Sequence, residues 1–140
     1  MKNASIVLAI LALILFTACG PMAGSRTSAE QRITDAEWTL NPTQSNMTIE
    51  GELPFVSFDL DGDRIATGLG GCNRFSSPVT IGGEGSLIFG EIMATKMACP
   101  NLALETRFFD MLKQTNRYEL RGNTLVFYRN NLKLLQFERK

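Results

Sequence analysis

From Arg32 onward, turn signals recur every few positions and cut the chain into short runs of β-branched and aromatic residues. Such punctuation leaves room for little except antiparallel strands. Trp38, Thr39 and Leu40 open the series before the Asn41-Pro42 break, and Met47-Thr48-Ile49 and residues 54–58 carry strand chemistry. Asp61-Gly62 then predicts a two-residue hairpin turn between residues 58–60 and 64–67. A second hairpin is expected where Gly82-Gly83-Glu84-Gly85 separates residues 79–81 from 86–89. Toward the end, Gly122-Asn123 and Asn130-Asn131 divide residues 118–120, 125–128 and 132–137 into a meander.

One segment departs from this pattern. Between residues 101 and 113 the apolar side chains Leu104, Phe108, Met111 and Leu112 fall on one face of an amphipathic helix. Asn101 is placed to cap it, and Glu105 lies near the first turn, where the helix dipole favours an anion. A lone helix among antiparallel strands has an apolar stripe to bury, and the open side of a curved sheet offers the place. The expected class is α+β, with Trp38, Phe58, Leu87, Phe108, Leu112 and Phe127 in the core.

The N-terminus reads as an export signal. Lys2 precedes an apolar stretch over residues 6–16, and Thr17 and Ala18 lead to Cys19. That stretch is shorter than the ~20 residues a bilayer-spanning helix needs, so removal is expected rather than a permanent span. Leu15-Phe16-Thr17-Ala18-Cys19 resembles the lipobox of bacterial lipoproteins, with Phe16 where that motif usually has Leu. It implies cleavage before Cys19 and acylation of that residue; cleavage by an ordinary signal peptidase, releasing a soluble periplasmic protein, is the alternative. Several acyl chains at about 0.8 kcal/mol per buried methylene would make the attachment stable. Gly20 stands where an aspartate would mark inner-membrane retention, which favours the outer membrane, facing the periplasm. Residues 1–18 are thus expected to be a lipoprotein signal peptide. Residues 19–31, rich in Gly, Ser, Ala and Pro, read as a flexible tether, leaving residues 32–140 as one domain. With 14 basic and 14 acidic residues, the chain lacks the positive excess that nucleic acid attracts. The expectation is a monomer with no nucleic-acid partner.

Once Cys19 is acylated, Cys72 and Cys99 remain as an even pair in an oxidising compartment. They read as a structural disulfide, which over this loop length stabilises by about 3–4 kcal/mol on the chain-entropy model. Two packed free thiols, or a redox or soft-metal pair assisted by Met93 and Met97, are the alternatives. Gly68-Leu69-Gly70-Gly71 misses the spacing of phosphate-cradling loops and reads as a strand bend where backbones approach closely. Residues 59–63 miss the spacing of a calcium loop and read as a hairpin turn. No histidine occurs, which removes Ser-His-Asp and Cys-His catalysis and histidine metal sites. Ser-x-x-Lys is absent too. A carboxylate pair among Glu84, Glu91, Glu105 and Asp110 would be the route left to a hydrolase of an envelope polymer. Arg74 and Lys96 flank the two cysteines, where they could face an anion or satisfy nearby carbonyls and carboxylates such as Glu105. No catalytic residue, metal or cofactor is assigned.

The ordered set Trp38-Thr39-Leu40, Gly71-Cys72-Asn73-Arg74-Phe75-Ser76, Ala94-Thr95-Lys96-Met97-Ala98-Cys99, Glu105 with Phe108, Phe109 and Leu112, and the closing meander resembles the META/HslJ domain family. Ser77-Pro78 stands where that family commonly has glycine. The resemblance spans residues 32–140 and implies an open, cracked barrel-like sheet with a helix packed on it. It also implies a bacterial envelope lipoprotein, some relatives being induced by heat, and it brings no catalytic residues. The architecture is similar to that of secretin pilotins, which bind a partner and hold lipid in a cavity, though architecture does not fix function. The expectation is a non-enzymatic envelope lipoprotein binding a protein partner or a small apolar ligand.

Overall fold

The computed structural model describes residues 32–100 and 102–140. The expected signal peptide, the expected lipidation residue Cys19, the expected tether and the expected cap Asn101 lie outside these residues. Nine strands and one main helix follow in chain order: β1 (Trp38–Leu40), β2 (Phe55–Asp59), β3 (Ile65–Leu69), β4 (Arg74–Ile81), β5 (Leu87–Phe89), β6 (Met93–Ala94), α1 (Leu102–Gln114), β7 (Arg117–Arg121), β8 (Thr124–Arg129) and β9 (Leu132–Arg139). All pairings are antiparallel, in the order β5-β4-β3-β2-β1-β9-β8-β7, with β6 paired to β4 beside β5.

The two ends of this sheet come round to meet. Ser86 and Arg117 form an isolated bridge, and the Leu87 amide donates to the Asn116 carbonyl at 3.3 Å, so the α+β fold is a nearly closed barrel. Alternation along β4 turns Phe75, Ser77, Val79 and Ile81 inward and Arg74, Pro78 and Thr80 outward. Inside, Phe58, Phe89, Phe127 and Phe137 form a ring cluster with centroids 4.9–6.4 Å apart. Helix α1 closes one end by inserting Phe108, whose ring meets Phe75 and Phe137. All six residues expected in the core are buried. The interior is therefore filled by side chains.

Three local expectations differ from the structure. Met47-Thr48-Ile49 is not a strand: residues 41–47 fold into turns in which the Ser45 and Met47 amides donate to the Asn41 and Pro42 carbonyls. A local bond thus takes the Met47 amide that a ladder would need, although Met47 still buries its side chain. The β2–β3 connection is longer than two residues, because buried Leu60 leaves the ladder and Asp59 Oδ1 accepts from the Asp61 amide. Gly62 and Arg64 both take positive φ there, at 62° and 53°. Strand β6, finally, comes from the stretch before Cys99, where no strand was expected.

Candidate functional site

The two cysteine segments and Glu105 converge on Asn73, which is 1% exposed. Its amide uses its full capacity of two donors and two acceptors. Nδ2 donates to Glu105 Oε1 at 2.8 Å and to the Met97 carbonyl at 3.4 Å. Oδ1 accepts from Thr95 Oγ1 at 2.8 Å and from the Met97 amide at 2.7 Å. The Asn73 backbone amide donates to Glu105 Oε2 at 2.6 Å, and its carbonyl accepts from the Gly70 amide at 2.8 Å. One buried residue therefore ties together the start of β4, the segment after β6 and the first turn of α1. Glu105, itself 6% exposed, has each carboxylate oxygen occupied.

Tight backbone packing makes this convergence feasible. A Cβ at Gly70 would lie 2.6 Å from the Phe109 ring and 2.9 Å from the Glu105 side chain, and one at Gly68 would lie 2.0 Å from the Phe55 carbonyl oxygen. Glycine is the residue that lets α1 seat Glu105 against the β3–β4 corner. Cys72 and Cys99 are bonded, with Cα atoms 6.5 Å apart and a sequence separation of 27. While the bridge is closed, neither sulfur is a thiolate able to bind a soft metal or attack a disulfide.

What these ties hold is a strap over residues 91–98, exposed except for half-buried Ile92. Its ladder with β4 is only two pairs long, Phe75 with Ala94 and Ser76 with Met93, extended by the Thr95 amide donating to the Arg74 carbonyl at 3.0 Å. Met93 and Met97 are 59% and 55% exposed. Met97, Ala98, Leu102 and Lys96 line a groove of about 380 Å3 whose floor is Asn73, Thr95 and Glu105. Arg74 does not share this groove: it points from the outer face of β4 into another, with Phe55 and Lys140. Of the four carboxylates considered for hydrolysis, Glu105 is committed to Asn73, while Glu84 sits on the turn between β4 and β5 in a groove with Arg117. Glu84 and Glu105 line different grooves, so they do not face one substrate. Among the described residues, no cluster of three or more Cys, Asp or Glu residues could hold a metal ion.

The comparison with known families decides what this arrangement belongs to. A family model, the META domain, matches residues 31–140, which include every element described above. The chain belongs to the META domain family. That family is not a known enzyme family. No curated protein matches the chain significantly. Among solved structures, the chain is similar to a protein from Burkholderia xenovorans determined by NMR, with 22% identity, 87% of this chain and 97% of that one covered, and a TM-score of 0.64. A DUF4847 family protein from Bacteroides vulgatus is similar at 15% identity, covering 80% and 97% of the two chains with a TM-score of 0.54. At these identities the likeness concerns the fold. The fully bonded Asn73 was not foreseen as a site residue; the signal available was its place directly after Cys72 in a segment that carries the META resemblance.

Proposed function

We propose that this protein is a non-enzymatic envelope lipoprotein, anchored through Cys19 in the outer membrane, whose META domain docks a protein partner on the strap. The observation that carries the reading is that Asn73 and Thr95 of the cysteine segments, with Glu105, are bonded to one another in holding the strap. The Asn73 side-chain amide has no free hydrogen-bonding capacity for a substrate and Asn73 engages both oxygens of Glu105, whereas the methionines they position face solvent. A segment fixed before binding loses less conformational entropy on docking. Exposed methionines adapt to varied apolar surfaces. With Met97, Ala98 and Leu102 beside Lys96, the groove suits a partner segment that sets an acidic residue among apolar ones. A small apolar ligand is less favoured, because the barrel interior is occupied by aromatic rings. Anchoring and docking together would serve envelope integrity under stress.

The test places a photo-crosslinking amino acid at Met93, Met97 or, as a control, Lys133 in cells. A discrete protein adduct is expected from the two strap positions and none from Lys133, with loss of the adduct when Lys96 is changed to Glu. Equal labelling from all three positions would overturn the reading. Intact mass of the membrane-purified chain, with and without reduction, checks the anchor: Cys19 should carry acyl chains, and Cys72 and Cys99 should alkylate only after reduction.

A further inference from the structure

The strap proposed to dock a partner carries a second chemistry in its sulfurs. Burial sorts the methionines among the described residues into two groups. Met47 is 6% exposed and Met111 is half-buried against the core, whereas Met93 and Met97 are 59% and 55% exposed. A thioether is converted to a sulfoxide only when an oxidant reaches the sulfur. Burial therefore shields Met47, while both strap methionines stand open.

Other groups that react with oxidants are withheld. The Trp38 indole is fully buried, with Nε1 donating to the Ile33 carbonyl at 2.8 Å. Cys72 and Cys99 are bonded to each other, so neither presents the thiolate that a peroxide attacks. The ties that hold the strap do not pass through its sulfurs either. Asn73 binds Met97 through the Met97 backbone amide and carbonyl, at 2.7 and 3.4 Å, and binds Thr95 through the hydroxyl at 2.8 Å. Met93 pairs with Ser76 through the backbone ladder. An oxygen added at sulfur thus changes the surface of the strap and leaves in place what positions it.

We infer that Met93 and Met97 form an oxidation site whose conversion to sulfoxide turns off docking at the strap, a switch that rests on the docking role proposed above. With hydrogen peroxide as the oxidant, a sulfur lone pair attacks one peroxide oxygen, the O–O bond breaks and an S–O bond forms. Sulfur loses two electrons, and the other oxygen leaves as hydroxide, which takes up the proton of the transferred hydroxyl to give water. The product carries a polar acceptor where the partner needs an apolar contact. A partner segment of apolar and acidic side chains offers that oxygen no side-chain donor, so burying it is unfavourable.

The test has two arms. In the first, the full chain in lipid nanodiscs is titrated with hydrogen peroxide and mapped by peptide mass. Met93 and Met97 should become sulfoxides roughly tenfold faster than Met47, with an unchanged melting temperature. Equal rates at Met47, or unfolding that tracks oxidation of the strap, would overturn the inference. In the second, a photo-crosslinking amino acid at Ala94, exposed on the strap, is activated in cells before and after peroxide. The adduct should fall roughly tenfold after peroxide, yet persist when Met93→Leu and Met97→Leu are combined, because leucine replaces methionine at similar volume and forms no sulfoxide. An adduct that survives oxidation of the strap, or one lost equally in the double leucine variant, would overturn the switch. No adduct before peroxide would instead overturn the docking reading and the switch with it, while the oxidation site stands or falls on the rates in the first arm.

Discussion

The β7–β9 meander and the strap both pair with the same sheet, yet they are held in opposite ways. The meander stabilises itself through long ladders: five residue pairs join β7 to β8 and six join β8 to β9. Its turns are supplied locally by Gly122 and Asn130 at positive φ, 58° and 55°. The strap has a two-pair ladder and few buried side chains, so a disulfide and one asparagine do the holding. Segments with little apolar burial open at low free energy unless they are tied by other means. The contrast separates stability that a segment generates itself from stability imported through side chains.

The meander should be broken most severely through its core. Phe127 is fully buried against Phe58, Phe89 and Phe137, and Phe127→Ala is expected to cost about 3–5 kcal/mol of global stability in denaturant unfolding. Removing the strap's bridge with Cys72→Ser and Cys99→Ser should cost about 3.5 kcal/mol for this loop length, measured the same way. Asn73→Ala should follow at about 2 kcal/mol, since it leaves the buried Glu105 Oε1 and the Met97 amide short of partners. Hydrogen exchange sharpens that prediction: the Met97 amide should exchange faster in Asn73→Ala, while amides of the β8–β9 ladder stay protected. Combined with loss of the bridge, Asn73→Ala should cost less than the sum of the two, because both tie the same segment.

The smallest effect should come from the outer face of the meander. Glu119 accepts from Arg117 at 2.6 Å, and that bond, joined by the charge of Arg121, holds its carboxyl below the usual carboxylate range despite some desolvation. Arg117 also stacks over the Tyr128 ring at 4.2 Å. A folded-state pKa below the unfolded value contributes stability that is present above about pH 4.3 and is lost as pH falls through the lower folded value. Glu119→Gln should therefore cost about 0.5 kcal/mol at neutral pH and nothing at strongly acidic pH, as read from melting curves. An equal cost at both pH values would show that packing, rather than charge, holds this corner.

Much of this division was legible in the residues. The meander, the hairpin around Gly82-Gly83-Glu84-Gly85 and the helix could be read because turn residues and apolar spacing act over a few positions. Met47-Thr48-Ile49 has strand chemistry but no ladder, and the Met47 amide is taken instead by the turn that starts at Asn41 and Pro42. β6 could not be read, since Met93-Ala94 has no strand signal of its own and pairs only because the bridge and Asn73 bring it to β4. Glu105 was read as a dipole-favoured residue of the first turn, while its two bonds to Asn73 come from a residue 32 positions away.

By itself, the sequence determined most of the element types, six of the large side chains of the core and the resemblance to the META family, because these depend on local propensity and on the periodicity of apolar residues. The tertiary structure alone decided that β1 lies between β2 and β9, that the sheet nearly closes, and that Arg74 and Lys96 occupy separate grooves. Those outcomes depend on contacts between residues far apart in the chain, such as Trp38 with Arg139, whose formation is governed by burying the inner face of the sheet around one core rather than by any signal in either segment.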